Sequence, residues 1–179
     1  MPTILTHAFT GVASGVAVYK RSFPKWFWIL TALLPVIPDA DVISFKLGIP
    51  YSSFWGHRGF FHSLFFSCVL GTVTGFILAW VEKREWKKGF LYAGYFSIVT
   101  SLHGILDAFT NGGLGIALLS PFIEKRYFFP VTPIKVSPIG IKSFLDGRSI
   151  DILTNEILWV WVPFICVALL IHVIFKRFH

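Results

Sequence analysis

The sequence predicts an all-α, polytopic membrane bundle of about five transmembrane helices, with a Pro/Gly-rich extracytoplasmic loop between helices four and five. Three observations predict it. The 179 residues are 55% hydrophobic, with a mean hydropathy of +0.70. Only 14% are charged, where soluble domains carry about 25%. The apolar residues also gather into five runs separated by short basic clusters, the layout of topology determinants. The net charge of +7 raises the question of nucleic acid, but the basic residues form no polar face, so no nucleic-acid partner is expected. The chain reads as one membrane-embedded domain, 1–179.

The first run covers about Thr6 to Tyr19, with Gly11 and Gly15 in the GxxxG spacing of closely packed helices. The second runs from about Pro24 to Pro38, led in by Trp26 and Trp28 as interface anchors. The third spans about Phe60 to Val81 and repeats the GxxxG spacing at Gly71 and Gly75. The fourth covers about Gly89 to Phe109, and the fifth Ile157 to Phe175 with a kink expected at Pro163. A span needs roughly 20 residues, so runs three to five suffice and the first two are short. Cys68 and Cys166 lie inside apolar runs and read as packed thiols. No basic residue precedes Lys20, so a cleaved signal peptide is not expected.

Residues 110–155 break the pattern. Pro121, Pro130, Pro133 and Pro138 interrupt any long helix. The apolar piece GLGIALLSPF at 113–122 is too short to cross and reads as re-entrant or interfacial. Charge orients the bundle. Lys20, Arg21, Lys25, Lys83, Arg84, Lys87, Lys88, Lys176 and Arg177 fall on one side with only Glu82 and Glu85 as acids, while the other side is balanced. The positive-inside rule makes the basic side cytoplasmic, placing the N-terminus and residues 110–155 outside and the C-terminus in the cytoplasm.

On that topology the remaining polar residues converge. His7 starts run one; Asp39 and Asp41 close run two; His57 and His62 open run three; His103 and Asp107 lie in the last turns of run four. All seven meet one face at one depth, where ionisable groups are costly unless paired or coordinated. Imidazole with carboxylate suits zinc, and also manganese or iron. His103 and Asp107 share a helix side at i and i+4. An extended backbone after Pro38 would put Asp39 and Asp41 on one side as well. The set could hold two ions, or one ion with carboxylates behind the imidazoles.

The motifs TH at 6–7, PDAD at 38–41, HRGFFHS at 57–63 and HGILD at 103–107 resemble the YdjM-like family of inner-membrane proteins. Members are identified as metal-dependent hydrolases of bacterial and archaeal membranes, so the resemblance implies a zinc-type hydrolase. A fainter similarity is to the zinc-dependent phospholipase C and P1 nuclease group, which shares the order His7, Asp39 or Asp41, His62, His103 and Asp107. The chain departs from that group in lacking an N-terminal Trp ligand and a later HxxxE.

The expected activity is cleavage of a phosphoester in a membrane lipid or lipid-linked substrate at the outer face, with amide or ester cleavage open to the same chemistry. Asp41 or Asp39, whichever is not a ligand, would act as base. Arg58 would clamp an anionic group or anchor at headgroup depth. Ser63 reads as a partner of His62 or a helix-start residue. The alternative is a non-enzymatic membrane protein: an ion or metal transporter, or a bundle braced by metal.

Overall fold

A computed structural model describes residues 1–18, 23–140 and 149–177. Tyr19, Lys20, Arg21, Lys142, Gly147 and His179 lie outside the described residues, as do the side chains of Phe175, Lys176 and Arg177.

Helix α1 (Ile4–Ala17) starts where Thr3 Oγ1 accepts the Thr6 amide at 3.3 Å, meeting one of the amides a helix start leaves free. Helix α2 (Lys25–Leu33) runs into a 3-10 helix (Leu34–Val42) and then α3 (Ile43–Lys46). Pro35 and Pro38 remove amide donors, and here the chain tightens to three residues per turn. The second span therefore continues past Pro38 to Lys46. This corrects the extended backbone expected at Asp39 and Asp41.

A short 3-10 turn (Phe60–His62) precedes α4 (Leu64–Val81). Ser63 caps α4, its Oγ accepting the Phe66 amide at 3.0 Å, which assigns Ser63 to the helix start. Helix α5 (Trp86–Ala108) follows. The chain ends in α6 (Ser149–Glu156), a π turn (Ile157–Trp161) and α7 (Val162–Arg177). The π turn sits directly ahead of Pro163 and absorbs the break expected there.

Among the described residues, four stretches are long and apolar enough to cross a membrane: Lys25–Lys46, Leu64–Val81, Trp86–Ala108 and Ser149–Ile174. The 14 residues of α1 rise about 21 Å, short of a bilayer core of about 30 Å. The architecture is all-helical, as the sequence predicts, and the described residues contain no strand. Residues 110–140 carry only two isolated bridges, Thr110 with Ile134 and Ile116 with Tyr127.

Packing follows the small residues. A Cβ on Gly75 would lie 2.2 Å from the Ala93 amide nitrogen, so α4 and α5 touch backbone to backbone. Phe27, Leu34, Leu78, Tyr92 and Phe96 fill the space between α2, α4 and α5. Outward-facing residues such as Ile77, Ile98 and Leu170 are apolar and exposed. Little of the last span is buried within the protein, which is the pattern of a lipid-facing helix.

Candidate metal centre

Every residue of the predicted cluster is buried: His7, Asp39, Asp41, His57, His62, His103 and Asp107. The helices bring them to the end of the bundle where α1 begins and α5 finishes. Gly104 makes the closest approach possible, because a Cβ there would lie 2.4 Å from the His62 carbonyl oxygen. The glycine beside His103 thus lets α5 lie against the turn carrying His62.

Asp39, His62, His103 and Asp107 each offer a ligand atom within 4.8 Å of the other three. Asp39 Oδ1 lies 3.5 Å from His62 Nε2 and 3.4 Å from His103 Nε2. Asp107 Oδ2 lies 3.6 Å from His62 Nε2, and Asp107 Oδ1 lies 3.4 Å from His7 Nε2. Ligand atoms about 2.0–2.1 Å from one ion at tetrahedral angles stand about 3.3 Å apart, so this spacing fits a shared ion. Among the described residues none of these atoms has a hydrogen-bond partner despite its burial, a costly state that coordination would relieve. The residues present therefore fit a divalent metal. His7 reaches this group through Asp107, and its ring stacks on His103 at 3.9 Å.

The tautomers agree. His103 Nδ1 lies 2.7 Å from the Pro35 carbonyl oxygen. A carbonyl only accepts, so Nδ1 carries the proton and Nε2 presents its lone pair to the cluster. The 3-10 helix thus supplies both Asp39 and the carbonyl that aims His103.

Asp41 stands on the other side of His62. With three residues per turn, positions i and i+2 point in different directions, and the two aspartates grip opposite edges of the imidazole. Asp41 Oδ2 lies 3.0 Å from His62 Nδ1 and accepts the Arg58 amide at 3.1 Å. Asp41 Oδ1 lies 2.6 Å from His57 Nδ1. That separation is a hydrogen bond, shorter than two ligands of one ion normally approach. Asp41 and His57 form a hydrogen-bonded pair beside His62, and the three residues also offer ligand atoms within 4.8 Å of one another, a second set that could hold an ion.

Arg58 holds a left-handed backbone, with φ of 62°. Its amide bond to Asp41 and its carbonyl, which accepts the Ala117 amide at 3.1 Å, fix that turn. The guanidinium is buried. Its Nε lies 3.3 Å from Asp107 Oδ2, its Nη2 donates to Thr110 Oγ1 at 3.1 Å, and its Nη1 donates to the Gly112 carbonyl. It balances the charge of Asp107. Residues 110–118 do not form a helix; they pack against this turn with Ile116 and Ala117 buried.

The full chain, residues 1–179, matches the model of the YdjM inner membrane protein family. The chain belongs to that family. The inner membrane protein YbcI of Escherichia coli (strain K12) is 35% identical over 164 residues, covering 91% of this chain and 92% of YbcI. No solved structure matches. YdjM membership, together with four apolar spans, places the chain in the inner membrane.

Sequence reasoning missed one residue that the site uses. Glu156 is fully buried and accepts from the Thr3 amide and Thr3 Oγ1, both at 2.6 Å, and from Thr6 Oγ1. Trp161 Nε1 donates to the same Thr6 hydroxyl at 2.7 Å. The last span thereby clamps the first turn of α1, just ahead of His7. The signal was present: an acid at the mouth of an apolar run, the same criterion that singled out the other seven.

Proposed function

We propose that the protein is a membrane-bound, metal-dependent hydrolase that cleaves a phosphoester of a lipid or lipid-linked substrate at the outer membrane face. The observation that carries this reading is the set of buried ligand atoms of Asp39, His62, His103 and Asp107, none with a hydrogen bond among the described residues, at one end of an inner-membrane bundle. Zinc is the ion that suits this donor set best, with manganese and iron also compatible, and the hydrogen-bonded Asp41–His57 pair favours one ion over two. A bound ion supplies a water of lowered pKa and polarises a phosphoryl oxygen.

The chain's own residues divide the remaining work. Asp39 faces the other ligands through Oδ1, and its Oδ2 has no hydrogen bond among the described residues, so this second oxygen would take the proton of an attacking water although the residue is itself a ligand. Asp41, with both oxygens engaged, acts through His62 as a positioning residue. Arg58 neutralises Asp107 and keeps two of its five N–H donors for an anionic group.

The depth of burial favours a second reading. Asp39 is 5% exposed and His103 and Asp107 are fully buried, as in a metal that braces a bundle without turnover. Purified, metal-loaded protein should be assayed for release of phosphate or headgroup from phospholipids and polyprenyl phosphates. Metal-dependent turnover that is lost in Asp39→Asn supports the hydrolase. Full metal occupancy with no cleavage of phosphoester, ester or amide substrates supports the bracing role instead.

A further inference from the structure

The opposite end of the bundle has a site of its own. Lys88 and His103 are fifteen residues apart on α5, so this end lies about 22 Å along the helix from the metal centre. A groove of about 330 Å³ opens here between α1, α2 and α5. On α5 its wall is Lys88, Leu91, Tyr92 and Tyr95, the i, i+3, i+4, i+7 spacing of a single helix stripe. Phe23 and Phe27 close the other side.

The stripe is graded. Lys88 and Arg84 are exposed at the mouth, and among the described residues neither makes an ion pair. Two turns further in the wall is apolar, ending at Tyr95, whose hydroxyl accepts from Thr31 Oγ1 at 3.3 Å. Trp26, Trp80 and Trp86 are exposed around the same end, the placement of residues that sit at headgroup level. Two exposed cations above an apolar slot between spans match the chemistry of a phosphate carrying acyl chains.

We propose that this groove binds an anionic phospholipid, its phosphate between Arg84 and Lys88 and one acyl chain along Leu91 and Tyr95. The site is independent of the metal centre and of any reaction there. A zwitterionic lipid brings its own cation to the mouth and is disfavoured.

The test is native mass spectrometry of the full chain in detergent, titrated with phosphatidylglycerol or phosphatidylcholine. Wild type should bind phosphatidylglycerol in preference. The double variant Arg84→Gln/Lys88→Gln should lose about thirtyfold in that affinity, and Leu91→Trp, which fills the slot, should lose it as well, both at an unchanged melting temperature. Lys83→Gln/Lys87→Gln, whose residues lie outside the groove lining, should bind as wild type does. Equal affinity for the two lipids in wild type overturns the proposal. So does an equal loss in the Lys83/Lys87 variant, which would mark diffuse surface attraction, or full binding in Leu91→Trp.

Discussion

His62 Nδ1 lies 3.0 Å from Asp41 Oδ2, on the opposite edge of the imidazole from Asp39, whose Oδ1 lies 3.5 Å from Nε2. A carboxylate at Nδ1 fixes the tautomer and raises the basicity of Nε2. Asp41→Asn replaces one acceptor oxygen by a donor that must face His57, His62 or the Arg58 amide. Metal affinity should fall about 10–100-fold, with stoichiometry at saturation retained. Competition against a chromophoric chelator measures this, and an unchanged affinity would remove the positioning role.

Two glycines of α5 should respond in opposite ways. A Cβ at Gly104 meets the His62 carbonyl at 2.4 Å, whereas one at Gly94 has nothing within 4 Å. Gly94→Ala should leave metal binding intact and stabilise α5 by up to about 1 kcal/mol. Gly104→Ala must push α5 off the His62 turn, and metal affinity should drop at least about tenfold although no ligand is altered. Parallel metal titrations and melting curves of the two variants decide it.

Glu156→Ala should destabilise the bundle by about 2–4 kcal/mol, because the Thr3 amide and the Thr3 and Thr6 hydroxyls lose their buried acceptor. Glu156→Gln keeps an acceptor and should lose less. Thermal unfolding in detergent measures both. Equal melting temperatures for Glu156→Ala and wild type would show that the clamp on α1 contributes nothing.

The pH dependence of metal uptake follows from His62. Burial of the ring acts to lower its pKa, but the carboxylates of Asp39 and then Asp41, 3.5 Å and 3.0 Å from its two nitrogens, outweigh it and lift the metal-free ring to about 9. Its folded value lies above its ordinary 6.5, so the proton stabilises the metal-free fold fully below about pH 6.5, and that contribution is lost as pH rises through 9. A metal must displace this proton. Affinity should therefore climb about tenfold per pH unit between 6.5 and 9. Isothermal titration in two buffers of different ionisation enthalpy should show one proton released; none released would contradict the assignment.

The long apolar runs were legible because span length and hydropathy need no tertiary information. The convergence of the seven site residues followed from placing each at a run end on one face of the topology. Two features were hidden, and the partner of a third. Pro35 and Pro38 tighten the chain into a 3-10 helix and send Asp39 and Asp41 to opposite edges of His62, a divergence that depends on local backbone and on the ring between them. Arg58 looks like a surface cation by type, and only the packing of residues 110–118 shows it buried beside Asp107. Glu156 is separated from Thr3 by 153 positions, a distance in sequence that no local pattern bridges.

The central claim is that Asp39, His62, His103 and Asp107 hold a metal ion. Elemental mass spectrometry of the detergent-purified protein tests it most directly, wild type beside His62→Ala, His103→Ala and the distant His172→Ala. The account predicts about one equivalent of zinc, or of manganese or iron, in wild type and His172→Ala, and its loss in His62→Ala and His103→Ala with the helical fold retained by circular dichroism. Wild-type protein that stays free of metal after reconstitution with zinc, manganese and iron would contradict it.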